Sequence, residues 1–149
     1  MAKSIEQIVT ELAFREAIRE LPIKYCDCVW RNDVTGIVDL FADDGAFITK
    51  GRKREHRAEG RESLLKLYGG LTSGDMTPRP YIHNHVIELR DGSSASGRCY
   101  VEIRDANKNF QWGGSGYYED EYVKLGDRWK FKSRTFHAAH MEQMPGRST

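Results

Sequence analysis

Residues 116–134 constrain the fold of this chain more than any other segment. Polar and apolar residues alternate with a period of two on both sides of residues 125–127, Leu-Gly-Asp, a composition typical of a tight turn. The pattern predicts two antiparallel strands joined as a hairpin. Tyr118, Asp120 and Tyr122 fall on one face of the first strand. That face is either a core containing a satisfied buried acid or the wall of a pocket, and the sequence leaves both open.

Length and composition fit one soluble domain over residues 1–149. The net charge of +1 provides no global attraction for nucleic acid or an acidic membrane. No apolar run approaches the length of a membrane span, and the N-terminus lacks the core of a signal peptide. The three cysteines form no recognisable disulfide framework. We therefore expect a cytoplasmic protein with no nucleic-acid or membrane partner.

The first third of the chain has helical periodicity. Ser4 and Gln7 have the spacing of a capping box, followed by an amphipathic pattern up to Leu21. Pro22 is predicted to kink or end this helix because proline lacks a backbone donor. Further helices are predicted over residues 23–31, 34–41 and 61–68.

The remainder has strand periodicity, with strands predicted over residues 46–49, 81–89, 94–104, 110–124 and 128–136. Helices followed by hairpins indicate an α+β fold, with N-terminal helices packed on a strongly curved antiparallel sheet. Gly113, Gly114 and Gly116 lie within a strand, where glycine allows sharp bending. A sheet bent in this way over helices encloses a cone.

Four segments carry a resemblance to a known family: residues 16–21 with Tyr25 after them, residues 39–44, residues 84–89, and the series Gly116, Tyr118, Asp120, Trp129 and Arg134. Their order resembles the nuclear transport factor 2-like superfamily, and within it the SnoaL-like cyclases and the scytalone dehydratase group. The resemblance extends from about residue 5 to residue 136. It implies a cone-shaped α+β barrel with a hydrophobic cavity, and it is less specific for chemistry because one fold hosts many functions.

The dehydratases and dehydrochlorinases of this superfamily use an Asp–His pair in the cavity to remove a proton and expel a leaving group. The resemblance places Trp30 at the aspartate position and Pro80 at the histidine position. Asp27 lies one helical turn before Trp30, and His83 lies on the same strand as Pro80. The catalytic candidates are therefore His83 as the base and Asp27 as its orienting acid, provided that a bulge turns His83 inward.

Tyr25 completes the catalytic candidates, because it matches a phenol that assists the leaving group in the bile-acid dehydratase branch. The alternative is a buried aromatic residue between helix and sheet. Arg134 matches a cavity arginine of the dehydrochlorinase branch, which implies binding of an oxyanion or a ligand carboxylate, or pairing with Asp120. A further possibility for Asp120 is a structural acid satisfied by backbone donors. The predicted substrate-binding residues are Trp30, Asn84, Tyr118, Asp120 and Arg134.

Two further patterns favour no special chemistry. His83 and His85 have a spacing that can bind metal, but no third ligand stands at a recognisable distance, so no metal site is predicted. Residues 50–57 carry five lysines or arginines without interleaved aromatics, which is typical of a solvated loop. The resemblance leaves contact with an anionic ligand as the alternative, because the family often has an entrance loop near this segment.

The first functional hypothesis is a lyase, dehydratase or isomerase that uses no cofactor. It would act on a small hydrophobic, aromatic or polycyclic substrate by histidine-mediated proton abstraction. The alternatives are a non-catalytic module for hydrophobic-ligand binding or dimerisation, and a polyketide cyclase. We expect a homodimer or homotrimer, for which Trp112 and Tyr117 would suit the outer face of the sheet.

Overall fold

The computed structural model describes residues 2–51, 53–143 and 145–146. In chain order, its helices and strands are α1 Ile5–Trp30, α2 Val34–Val38, β1 Phe41–Lys50, β2 Glu55–Glu59, α3 Arg61–Gly69, β3 Pro78–Leu89, β4 Ser94–Asp105, β5 Gln111–Leu125 and β6 Arg128–Met141. A short 3-10 turn, Ala106–Lys108, precedes β5. The succession of helices and then hairpins confirms the predicted α+β class.

The six strands form one curved, unclosed sheet in the order β2-β1-β6-β5-β4-β3. Neighbouring strands are antiparallel except for β1 and β6, which are parallel. The sheet is therefore mixed rather than wholly antiparallel as predicted. Local hairpin patterns do not determine this pair, because β1 and β6 lie far apart in the chain and no turn joins them.

Helix α1 begins as predicted and continues further than predicted. The Ser4 hydroxyl accepts from the Gln7 amide at 3.1 Å, and the Gln7 side chain accepts from the Ser4 amide at 2.8 Å. The predicted break at Pro22 is wrong, since one helix runs from Ile5 to Trp30. Pro22 is buried within it. Packing of α1 against β3 and β6 compensates for the missing backbone hydrogen bond.

The β1–β2 region differs from its prediction. Strand β1 starts at Phe41 rather than at residue 46, and its register with β6 shifts between Phe41 and Ala46. The basic run is not wholly a loop, because its last residues begin β2 at Glu55. Thr49 pairs with His56 across this hairpin.

The hairpin of β5 and β6 is confirmed. Gly126 adopts a positive φ of 63° in its turn, a conformation that favours glycine. The register of the two strands shifts at Gly116, where a Cβ atom would lie 2.2 Å from the carbonyl oxygen of His137. Close backbone approach therefore explains the glycine in this bend.

No helix in the described parts of the chain is long and apolar enough to cross a membrane.

Candidate functional site

A cavity of about 110 Å³ lies between the helices and the sheet. Helices α1 and α3, strands β1, β3, β4, β5 and β6, and the segment after β6 all contribute to its wall. The lining residues are Tyr25, Val29, Phe47, Thr49, Leu67, Tyr68, Leu71, Pro78, Pro80, Ile103, Tyr118, Phe136 and Pro145. Apart from the hydroxyls of three tyrosines and one threonine, these side chains are apolar. The cavity therefore offers hydrophobic contact with a few polar contacts.

Three buried phenols supply most of that polarity. The hydroxyls of Tyr25 and Tyr68 lie 2.9 Å apart in one hydrogen bond, which uses only one of their two protons. The Tyr118 hydroxyl has no hydrogen-bond partner among the described residues. Burial raises the pKa of all three phenols well above the ordinary value, so they are neutral at physiological pH. Tyr118 and one of the Tyr25–Tyr68 pair can therefore donate a hydrogen bond to a ligand.

A line of polar groups, here called the polar chain, lies in the core beside the cavity. It consists of His85, Tyr122, Asp120 and Arg134. The Tyr122 hydroxyl donates to Asp120 Oδ2 at 3.0 Å, and His85 Nε2 lies 2.9 Å from the same hydroxyl. Asp120 Oδ1 lies 3.2 Å from Arg134 Nε, and both side chains are fully buried.

Arg134 is held mainly by charge and by aromatic faces. Its Nε is within ion-pair distance of Asp120, but the approach does not give a hydrogen bond, and none of its side-chain nitrogens has an acceptor among the described residues. The guanidinium carbon lies 3.6 Å from the ring centre of Tyr118 and 4.3 Å from that of Tyr25. Two cavity phenols therefore rest directly against a buried cation.

Burial sets the protonation states in the polar chain. Desolvation raises the pKa of Asp120 to about 6, although Arg134 and the hydrogen bond from Tyr122 oppose the rise. Desolvation, followed by the nearby arginine charges, lowers the pKa of His85 to about 4. His85 is therefore neutral at pH 7. Since the single Tyr122 proton goes to Asp120, Nε2 of His85 must carry the imidazole proton and donate to Tyr122.

The predicted pair of His83 and Asp27 does not lie in the cavity. The His83 side chain is 55% exposed and lies 3.7 Å from Glu102. The Asp27 side chain is 64% exposed and accepts from Arg31 at 3.0 Å. The bulge that His83 required does occur, since the β3–β4 register shifts between Ile82 and His85, but His85 is the histidine directed to the core. The predicted placement of both residues is therefore wrong.

Two predicted substrate-binding residues also lie elsewhere. Trp30 does not line the cavity: its indole Nε1 donates to the Pro80 carbonyl at 2.7 Å, and its ring stacks on Phe110 with centres 5.7 Å apart. Asn84 is exposed beside the β3 bulge. The two positions at which the resemblance implies an acid and a base are thus in contact, but Trp30 and Pro80 contribute no titratable group.

The remaining candidates divide into two groups. Tyr25 and Tyr118 line the cavity, as a role in ligand contact requires. Asp120 and Arg134 are buried next to these rings and do not line it. The sequence left open whether this face of β5 is core or the wall of a pocket. It is both, because Tyr118 lines the cavity whereas Asp120 and Tyr122 lie in the core.

The sequence interpretation missed Tyr68 and His85. Helical spacing from Leu64 was the available signal for Tyr68, because both lie on the buried face of α3. No local signal identified His85, since its direction depends on the bulge in β3. Among the residues that the structure describes, no three histidine, cysteine, aspartate or glutamate side chains are grouped so that they could hold a metal ion.

The fold is shared with known proteins. A family model described as a SnoaL-like domain matches residues 10–135. The chain belongs to this family. The SnoaL-like group lies within the nuclear transport factor 2-like superfamily, as the resemblance indicated. No curated protein has a significantly similar sequence.

Several solved structures resemble this SnoaL-like chain. The protein Rv3472 from Mycobacterium tuberculosis, of unknown function, has a TM-score of 0.79 at 23% identity, covering 90% of this chain and 76% of that one. A protein from Novosphingobium aromaticivorans proposed to be a scytalone dehydratase has a TM-score of 0.72 at 22% identity, covering 89% of both chains. The hexachlorocyclohexane dehydrochlorinase LinA-type3 from Novosphingobium barchaimii has a TM-score of 0.73 at 18% identity, covering 89% of this chain and 91% of that one. At these sequence identities the similarity establishes the fold alone. The same fold occurs in small-molecule lyases such as the dehydrochlorinase.

Proposed function

We propose that the protein binds a small hydrophobic molecule in the cavity. A ring of the ligand would occupy the apolar space, and its carbonyl or hydroxyl oxygen would accept a hydrogen bond from a phenol. The supporting observation is the cavity lining, which in the described parts of the chain contains three phenols and no carboxylate, imidazole or amine. Such a site supplies apolar surface and hydrogen-bond donors but no side-chain base.

Cavity volume limits the ligand. A cavity of about 110 Å³ has room for no more than one aromatic ring, since a cavity of roughly 150 Å³ accepts benzene. A polycyclic ligand would have to extend beyond it. The expectation of an aromatic ligand is therefore narrowed to one that inserts a single ring.

Acetophenone and isopropylbenzene test this proposal, because the two have nearly the same shape and differ in a carbonyl group. We expect the wild type to bind acetophenone about fivefold more tightly, the value of about one hydrogen bond. Tyr118→Phe should remove most of this preference, as measured by calorimetric titration. Tyr117→Phe is the control, because Tyr117 lies on the outer face against His137. Failure of both compounds to bind the wild type would reject the proposal.

The second candidate is a lyase or isomerase that uses no cofactor. It is favoured by the buried Arg134 cation, which lies against the rings of Tyr118 and Tyr25 where their hydroxyls could polarise a carbonyl or a leaving group. In the dehydration of a β-hydroxyketone, the C–H bond next to the carbonyl and the C–O bond both break, and water leaves. Because the described lining has no side-chain base, the departing hydroxyl would itself accept the proton.

A panel of β-hydroxyketones carrying one aromatic ring tests this activity, with the conjugated enone followed by its ultraviolet absorbance. We expect Tyr118→Phe to reduce any enzymatic rate at least tenfold and His83→Ala to leave it unchanged, because His83 is exposed outside the cavity. A rate that falls in His83→Ala would instead support the sequence-based prediction that His83 is the base. Binding of the panel without enone formation would leave ligand binding as the function.

A further inference from the structure

The cavity adjoins a larger groove of about 530 Å³. The two share Phe47, Thr49, Leu67, Leu71 and Pro145 as wall residues, so they lie next to each other. A ligand whose ring enters the cavity would therefore place its other end in the groove.

The groove wall differs from the cavity wall in its charge. Strand β2 adds His56, which pairs with Thr49 across the β1–β2 hairpin and so lies on the same face of the sheet. Helix α3 adds Lys66, and Arg57 also lines the groove. No aspartate or glutamate is among its described lining residues. In a chain of net charge +1, this is a local excess of positive charge.

Of the lysine and the arginine in the groove wall, Lys66 is the one without a carboxylate partner among the described residues. Arg57 is held by Glu59 in two hydrogen bonds of 3.2 and 3.4 Å. Lys66 is exposed and makes no ion pair with any described residue. Some other surface lysines do have a carboxylate partner, for example Lys24 with Glu20 at 3.0 Å and Lys3 with Glu11 at 2.7 Å. An unpaired ammonium at the mouth of an apolar cavity is suited to a single negative charge.

We propose that the ligand is an aryl-substituted carboxylate, with its ring in the cavity and its carboxylate in the groove near Lys66. This inference rests on the proposed binding function and adds the chemical class of the ligand. Two residues of the basic run that was interpreted as a solvated loop, His56 and Arg57, line the same groove.

3-Phenylpropanoate and 3-phenylpropanamide provide the test, because they have the same shape and differ in charge. We expect the wild type to bind the carboxylate about fivefold more tightly than the amide at low salt, as one partly exposed ion pair allows. The preference should shrink at 0.2 M salt. Lys66→Met should reduce it below twofold. Lys132→Met removes the same charge from an exposed site that lines neither space and should retain the preference.

Each outcome is decisive. Equal binding of the two compounds by the wild type, or a preference that survives Lys66→Met, would overturn the inference and leave hydrophobic-ligand binding intact. Absence of binding by both compounds would overturn the proposed function and this inference together. Thermal unfolding of each variant verifies its fold.

Discussion

Replacement of Tyr122 by phenylalanine tests the polar chain directly. The Tyr122 side chain is almost completely buried, and its hydroxyl donates to Asp120 and lies 2.9 Å from His85 Nε2. Phenylalanine keeps the ring and removes only the oxygen. The buried Asp120 and the half-buried His85 then lose a hydrogen-bond partner at once, so the cost comes from unsatisfied polar atoms rather than from lost packing.

The expected cost follows from the two bonds. A hydrogen bond to an ionised carboxylate contributes about 2 kcal/mol and a neutral one about 1 kcal/mol, so Tyr122→Phe should lower the free energy of unfolding by about 3 kcal/mol at pH 8. The corresponding fall in the unfolding temperature is about 6–12 °C for a chain of this size.

The cost should also depend on pH. The bond from Tyr122 lowers the pKa of Asp120 below the value that burial alone would impose, so its removal raises that pKa above about 6. The folded variant then holds its proton to a higher pH than the folded wild type. A group with a raised folded pKa loses stability as pH rises through that value. The difference between variant and wild type should therefore grow from pH 5 to pH 8.

Urea unfolding followed by circular dichroism at pH 5, 6.5 and 8 measures both effects. Tyr117→Phe is the matched control on the same strand, since the Tyr117 hydroxyl has no hydrogen bond among the described residues. It should cost less than about 0.5 kcal/mol. If Tyr122→Phe costs no more than this control, or costs the same at every pH, our account of the polar chain is wrong.

Three further predictions concern stability. Burial lowers the pKa of His85 to about 4, so the stability that neutral His85 provides is present above pH 6.5 and is lost as pH falls towards 4. In thermal unfolding, His85→Gln should therefore lose less stability than the wild type between pH 7 and pH 4. An equal loss in the two proteins would contradict this. Gly116→Ala should cost at least about 2 kcal/mol in urea unfolding because its Cβ would meet the His137 carbonyl at 2.2 Å, whereas Gly69→Ala, with open space around it, should be neutral or slightly stabilising. Ser4→Ala should cost about 1 kcal/mol through the lost N-cap, and no change in the urea midpoint would show that the first turn is frayed.

Much of the fold was predictable because its signals are local. The alternation on either side of the Gly126 turn determines the β5–β6 hairpin, and the capping box determines the start of α1. Pro22 misled the prediction because local propensity cannot include the tertiary contacts that keep a buried proline within a helix. The parallel pairing of β1 with β6 was equally unpredictable from local sequence patterns, because the two strands lie far apart in the chain.

The site was less predictable because it depends on side-chain direction. One bulge between Ile82 and His85 turns His85 towards the core and leaves His83 facing outwards. Tyr68 reaches Tyr25 from a helix 43 residues away in sequence, a contact that periodicity does not specify. The resemblance identified Tyr25, and the resemblance together with strand alternation identified Tyr118.

The position of β6 also has a consequence for synthesis of the chain. This strand is the last of the six in sequence, yet it lies in the interior of the sheet between β1 and β5. A nascent chain that lacks it holds a β2–β1 pair and a β3–β4–β5 meander with no strand to join them. It also lacks Phe131 and Arg134, two of the fully buried side chains of the core. Folding on the ribosome must therefore wait for β6, and until it emerges the inner edges of both partial sheets remain open to pairing with other chains.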